Sequence, residues 1–192
     1  GDTWLHEIKF DGYRIGCRIE NGRATLISRS GKDWTHRFPD IADAAVRLGV
    51  RDGLIDGEVA VVLPDGRTSF QHLQHAVAER TPAPGPRRPG GGSASLVYFV
   101  FDLLRLEGER LDALPLEERK ARLRTLVRRR NGGRIRYVDH VEGQGETFFE
   151  QAGRLGLEGI VSKRRDLPYR GGRHDGWVKT KCIRRQSFVI GG

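Results

Sequence analysis

Methionine is absent from all 192 residues, cysteine occurs only twice, and no apolar run is longer than Leu96 to Phe101. A bilayer span needs about 20 consecutive apolar residues, so no membrane-crossing helix is expected, and no secretory signal is seen. Cys17 and Cys182 lie far apart with no CxxC or Cys/His spacing, which argues against a zinc site and fits a reducing, cytoplasmic setting. A chain without methionine that opens on Gly1 inside a strand-like segment is expected to be a piece of a longer protein. What is present is ordinary globular material: 37% hydrophobic and 31% charged residues, enough for one domain with a real core.

The net charge of +9 is unevenly spread. Glu117 to Arg136 holds nine basic and two acidic residues, Lys163 to Arg185 again nine and two, and the remainder is therefore −5. Concentrated lysine and arginine suggest a polyanionic partner, because neutralising phosphates releases counterions. A solvated helix face explains Arg119 to Arg130 equally well.

Trp4 to Phe10 and Tyr13 to Ile19 alternate apolar and polar side chains, and Asn21-Gly22 before Ala24 to Ser28 predicts a hairpin. Phe38 to Leu48 has helical spacing, with Pro39 at its start and Gly49 as its stop. Strands are expected at Leu54 to Leu63, Leu96 to Leu104, Arg134 to Val138, Glu158 to Lys163, Gly176 to Cys182 and Ser187 to Ile190. Helices are expected at Ser69 to Glu79, Leu116 to Arg130 and Glu146 to Leu155. Thr81 to Gly92 contains four prolines and four glycines, a composition that reads as a flexible surface loop. The elements together predict a mixed α/β (α+β) domain, mostly antiparallel sheets flanked by helices.

Chemistry concentrates in a few segments. In Glu7-Ile8-Lys9-Phe10-Asp11-Gly12-Tyr13-Arg14, Glu7, Lys9 and Asp11 share one strand face at period two. Lys179 and Lys181 likewise share a face. A free lysine has a pKa of about 10.4 and is a poor nucleophile near neutrality, but cationic neighbours favour its neutral form. Asp56-Gly57-Glu58 interrupts a β-branched strand and Glu158 precedes another, so each carboxylate needs a cation, an arginine or a metal. Carboxylates and lysines gathered around phosphates suit Mg²⁺ or Mn²⁺. Phe99 and Phe101 share a face and read as core, with either one able to stack a base.

In this order, Lys9-Phe-Asp11-Gly12-Tyr13-Arg14 resembles the KxDGxR signature, Ser28-Arg29-Ser30-Gly31 the SRxG element and Asp56-Gly57-Glu58 the DGE element of covalent nucleotidyltransferases. Tyr98 to Leu103 resembles their aromatic FD strand, Glu158 to Lys163 the EGIVxK element and Lys179-Thr-Lys181 the closing KxK. Within that superfamily of DNA ligases, RNA ligases and capping enzymes, the wording is most similar to the adenylation domain of ATP-dependent DNA ligases, especially the ligase module of bacterial end-joining proteins. Trp4-Leu-His-Glu7, Ser162-Lys163-Arg164, Tyr169-Arg170-Gly171 and Trp177 to Cys182 carry that similarity.

The resemblance implies an ATP-grasp-like nucleotidyltransferase fold over residues 1–185, with 186–192 starting a linker to an OB-fold domain. It implies that Lys9 takes AMP from ATP as a covalent adduct, for transfer to the 5′-phosphate of a nicked or broken duplex DNA. Glu7, Ile8, Arg14, Arg29, Glu58, Phe101, Lys179 and Lys181 would contact the nucleotide, and Glu58 and Glu158 would hold Mg²⁺ or Mn²⁺. Arg14, Arg29, Lys163 and Arg164 would contact DNA. End-binding repair proteins are implied partners, and adenylation is expected to be slow without the OB-fold domain. The alternatives are a GTP-dependent capping-type or RNA-ligase domain, and a non-catalytic nucleic-acid-binding module.

Overall fold

A computed structural model describes residues 3–79, 95–128, 133–172 and 174–182. The expected loop at Thr81 to Gly92, the strand at Ser187 to Ile190 and the linker at 186–192 lie outside the described residues, as does the end of the helix expected to reach Arg130.

Two sheets form. The larger has the order β3 (Arg23–Ser28), β2 (Tyr13–Glu20), β4 (Asp52–Val62), β5 (Ser95–Leu106) and β6 (Glu109–Arg110), with β7 (Ile135–Tyr137) also on β5. The smaller runs β10 (Trp177–Lys181), β9 (Gly159–Arg164), β1 (Trp4–Ile8) and β8 (Val141–Glu142). Pairing is antiparallel except between β5 and β7. The two-residue strands β6 and β8 carry no periodicity signal and were not expected from sequence.

The β2–β3 hairpin turns where its side chains demand it. Asn21 and Gly22 both have positive φ, 50° and 74°, the pair a tight hairpin requires. Helices α1 (Pro39–Val46), α2 (Phe70–Glu79) and α3 (Leu116–Arg128) cover one face of the larger sheet. Ile41, Ala45, Leu73, Leu123 and Val127 meet Ile15, Cys17, Ile55, Val59, Tyr98 and Val100 there. Each large aliphatic side chain so buried contributes about 1.5–3 kcal/mol relative to exposure. Cys17 belongs to this core, and burial pushes its thiol up to about 12.

The pleat decides what the opposite face carries. Because Ile15, Val59, Tyr98 and Val100 point into the core, Arg14, Glu58, Phe99 and Phe101 point the other way, towards the smaller sheet. In the smaller sheet Glu7, Lys163, Trp177, Lys179 and Lys181 share the face that looks back. Helix α4 (Gly145–Arg154) covers that sheet's other side, so close that a side chain on Gly145 would strike the His6 ring. The crevice between the sheets therefore collects most of the residues singled out by sequence.

Candidate active site

Strand β1 ends at Ile8, and Lys9 begins the exit from it. Its N–H donates to Gly159 O at 2.9 Å, which ties it to the start of β9. Its Nζ lies 2.6 Å from Glu158 Oε1, with the side chain 16% exposed. Lys181 Nζ approaches the same oxygen at 3.5 Å, while Glu158 Oε2 is buried without a hydrogen-bond partner. Glycine follows Glu158 for a steric reason. A Cβ on Gly159, at φ 151°, would lie 2.1 Å from Thr180 O, so only glycine lets β10 pair there.

Glu58 faces this group from the larger sheet. Burial raises its carboxyl above the ordinary range and Glu158 adds to that, against the pull of Lys9, Lys179 and Arg14. The Lys179 amine is lowered, first by burial and then by the charges of Lys9, Arg14 and Arg29, against the pull of Glu58. Five cations, Lys9, Lys179, Lys181, Arg14 and Arg29, and two carboxylates thus share one field. A cleft of about 570 Å³ opens beside Lys9 and Glu158, bounded by Ile8, Arg67, Gln71 and Lys181. Cys182 also borders it.

Arg14 is held rather than free. Asp56 receives it bidentately, Nε at 3.2 Å and Nη2 at 2.6 Å, and the Tyr169 hydroxyl donates to the same carboxylate at 3.2 Å. The guanidinium lies 5.1 Å from the Trp177 ring and 5.7 Å from that of Phe101. Asp56 is therefore the ion-paired carboxylate that the sequence demanded, its partner an arginine. Phe99 is covered by Phe10, stacked at 3.9 Å, whereas Phe101 meets Trp177 edge-on at 5.9 Å. Arg29 stands exposed at the tip beyond β3.

Other expected site residues are placed differently. Lys163, read as a DNA contact, is 1% exposed, its Nζ 2.6 Å from Glu7 Oε2 and over the rings of Phe101 and Trp177 at 4.0 and 4.2 Å. Its strand position faces the crevice, so the charge is turned inward. Glu7 is 2% exposed and also receives Lys120 Nζ at 2.5 Å. Arg164 is forked onto Asp166 at the surface, at 2.9 and 2.7 Å.

Asp11 lies beyond the end of β1 and does not share its face. Its carboxylate accepts the Phe70 N–H at 3.2 Å and its N–H donates to Thr68, so it caps the start of α2. Asp11→Ala is expected to lower stability by about 1 kcal/mol in chemical denaturation, the usual worth of a helix cap. Gly12 follows because a Cβ there would lie 2.3 Å from Val59 O; the close approach at this bend requires glycine.

Two cations of the first basic segment, Arg119 and Lys120, are internal, whereas Arg124, Arg128 and Arg136 are exposed. Arg119 is 0% exposed and forks onto Asp102 at 2.7 and 2.9 Å, Lys120 is paired with Glu7, Arg122 with Glu109 and Arg134 with Asp40. Arg119 and Lys120 are thereby removed from any surface for a polyanion. Lys120 and the Asp102–Arg119 pair were not expected from sequence, and Tyr169 was noted only within Tyr169-Arg170-Gly171, with no role.

A lysine held among carboxylates and further lysines, in a crevice between two mostly antiparallel sheets, defines a site of the covalent nucleotidyltransferase class. The sequence profile of the ATP dependent DNA ligase domain matches residues 1–181, and the chain belongs to that family. It is 39% identical over 189 residues to the multifunctional non-homologous end joining protein LigD of Pseudomonas aeruginosa, covering 98% of this chain and 21% of that protein. To the Mycobacterium tuberculosis LigD it is 32% identical, over 98% of this chain and 23% of that one. A solved structure of mycobacterial DNA ligase D complexed with ATP and MES superposes with a TM-score of 0.77 at 30% identity, over 93% of this chain and 54% of that one. The chain thus spans less than a quarter of the curated relatives' length.

Proposed function

We propose that this domain performs the adenylation step of an ATP-dependent DNA ligase of the LigD kind, working in end-joining repair in the bacterial cytoplasm. The observation that carries the reading is the placement of Lys9 Nζ at 2.6 Å from Glu158 with Lys181 on the same oxygen. Lys9 gives up a proton, for which Glu158 is the nearest acceptor, and its lone pair attacks the α-phosphorus of ATP. The N–P bond forms as the bond to the bridging oxygen breaks, and pyrophosphate leaves with that electron pair. Lys179, Lys181 and Arg29 favour the phosphates electrostatically, and such transfers depend on positioning and charge neutralisation. Phe101 is the aromatic face offered to the base, since Phe99 is already covered by Phe10.

The adenylate then passes to the 5′-phosphate of a DNA break, and the 3′-hydroxyl displaces AMP. Exposed Arg29, Lys179 and Lys181 suit the DNA backbone at the mouth of the crevice, where contacts position without reading sequence. An OB-fold domain of the parent chain and end-binding repair proteins are the proposed partners.

Two glutamates, one with an orphaned buried oxygen, fit a divalent cation shared with a phosphate. Among the described residues no group of three or more His, Cys, Asp or Glu side chains is placed to hold a metal. Glu58 and Glu158 would hold Mg²⁺ or Mn²⁺ only together with substrate oxygens. When bound, the ion neutralises phosphate charge.

Intact mass after incubation with ATP and Mg²⁺ tests the reading. The expected product is a chain heavier by one AMP, mapped by peptide sequencing to Lys9 and reversed by pyrophosphate. No adduct after long incubation, or an adduct on another residue, overturns it. Labelling by GTP and not ATP would favour a capping-type enzyme instead.

A further inference from the structure

Tyr169 is a polar side chain at the crevice to which the adenylation chemistry gives no task. Its hydroxyl closes a triangle with Arg14 and Asp56: it donates to Asp56 Oδ2 at 3.2 Å and accepts from Arg14 Nη2 at 3.4 Å. Arg14 in turn gives Nε to Asp56 Oδ1 at 3.2 Å and Nη2 to Oδ2 at 2.6 Å. Two of the three guanidinium nitrogens are therefore occupied in holding the side chain, and Nη1 has no acceptor among the described residues. With the side chain 33% exposed on the crevice face, Nη1 is the donor left for a ligand.

The hydroxyl is delivered by a loop with anchors of its own. The Tyr169 N–H donates to Asp112 O at 2.8 Å. Two residues earlier, Leu167 O accepts the Leu116 N–H at 3.1 Å and Arg119 Nη1 at 3.2 Å, and Arg119 is forked onto Asp102, the cross-strand partner of Asp56. The first turn of α3 thus fixes where the connection between β9 and β10 places its phenol. The Tyr169 ring also meets Trp177 edge-on at 6.1 Å, and the Trp177 ring lies 5.1 Å from the Arg14 guanidinium. We propose that Tyr169 is a positioning residue for nucleotide binding: its hydroxyl locks the Arg14–Asp56 pair in one geometry, so that Arg14 Nη1 stands as a preformed donor to an oxygen of the bound ATP. The proposal rests on the adenylation reading and adds to it the residue that preorganises the arginine.

The terminal torsion of an aspartate is broad, with no sharp rotamer wells. A carboxylate gripped only by a guanidinium fork can therefore turn together with that fork. A second donor, brought in on a separately anchored loop, removes this freedom, and a donor ordered in advance loses less entropy when the ligand arrives. Burial, and then the charge of Asp56, push the Tyr169 hydroxyl up to about 12, so it stays protonated and able to donate near neutrality. Removing the hydroxyl leaves the ring, the Asp112 and Leu167 anchors and the Arg14–Asp56 fork in place. Asp56 Oδ2 still receives Arg14 Nη2, so no acceptor is orphaned, and what is lost is the rigidity of the arginine.

Binding of ATP to the full chain, measured by calorimetry on a Lys9→Ala background that prevents covalent capture, tests this. Tyr169→Phe is expected to weaken ATP about fivefold, the usual worth of one hydrogen bond, with little change in melting temperature. Arg14→Lys keeps a cation for Asp56 but has neither the planar fork nor Nη1, and is expected to weaken ATP about tenfold or more. The deciding chain carries both substitutions: if Tyr169 acts through Arg14, Tyr169→Phe should cost less than about twofold once residue 14 is lysine. A merely structural role, or a direct contact of the phenol with the nucleotide, would keep the fivefold loss in both backgrounds and overturns the proposal. A folded Tyr169→Phe or Arg14→Lys chain that binds ATP as tightly as its parent overturns this proposal alone, and a Lys9→Ala parent that binds no ATP overturns the adenylation reading with it.

Discussion

Lys9→Arg is expected to abolish covalent AMP while leaving the melting temperature within a degree or two of the parent. Arginine retains the charge and can still reach Glu158, now 2.6 Å from the lysine amine, so the local ion pair survives. A guanidinium is always protonated in proteins and has no lone pair to offer phosphorus. Loss of a nucleophile typically costs on the order of 10⁴–10⁶ in rate, which in an intact-mass measurement means no adduct at all. Lys9→Ala should behave the same way chemically. A Lys9→Arg chain that still gains one AMP would show that another amine is the acceptor, and Lys179 and Lys181, within the same field, would be the residues to map next.

Local chemistry was legible in the sequence, and distant partners mostly were not. Asn21-Gly22 announces its hairpin because the turn's φ requirement is intrinsic to those two residues. Period-two spacing put Lys179 and Lys181 on one face, and pairing through β9 places that face beside Lys9. The carboxylates of Asp56 and Glu158 were recognised as needing cations, but strand patterns do not say which cation. The answers, Arg14 for Asp56 and Lys9 with Lys181 for Glu158, come from sheet register and strand ends. Asp11 was misplaced because period two was extended beyond the last paired residue of β1.

In helix α3 two cations, Arg119 and Lys120, face inward, and the signal that could have shown it lies within the helix's own spacing. Leu116, Arg119, Lys120, Leu123 and Val127 are its buried residues, the positions that an i, i+3, i+4, i+7, i+11 pattern assigns to the core. A charged residue on such a stripe implies a buried carboxylate elsewhere. Asp102 inside an apolar strand and Glu7 inside β1 were the available partners. Counting net charge along the chain obscured this, because a lysine paired in the interior adds to the count and nothing to the surface potential. Arg29, Lys179 and Lys181, exposed beside Glu58 and Glu158, form a smaller and better placed surface for phosphate.

The same buried cluster carries the largest stability effect. Glu7→Gln removes the only carboxylate contacting Lys120 and Lys163 among the described residues, leaving two buried ammonium groups facing a neutral amide. Breaking a buried pair in this way costs about 3–5 kcal/mol, more than Lys120→Met, which leaves a neutral pair behind. The pH window of the dependence should also move, from the carboxylate range to the lysine range. In the parent, the Glu7 carboxyl is held below its unfolded value by the two lysines, so its contribution is present above the unfolded pKa of about 4.5 and is lost as pH falls through the folded one. In Glu7→Gln no carboxylate remains to titrate at that position, and burial with mutual repulsion depresses the lysines instead. A base depressed in the folded state destabilises it while charged, so stability should rise with pH as one ammonium sheds its proton, approaching its limit near the unfolded lysine value of about 10.4. Chemical denaturation at pH 6, 7.5 and 9 separates the two chains: the variant is expected to regain more stability across that series than the parent, in which Lys163 is depressed but Lys120 is not. A Glu7→Gln chain as stable as the parent, with a flat profile, would mean that Lys120 and Lys163 find other partners in solution.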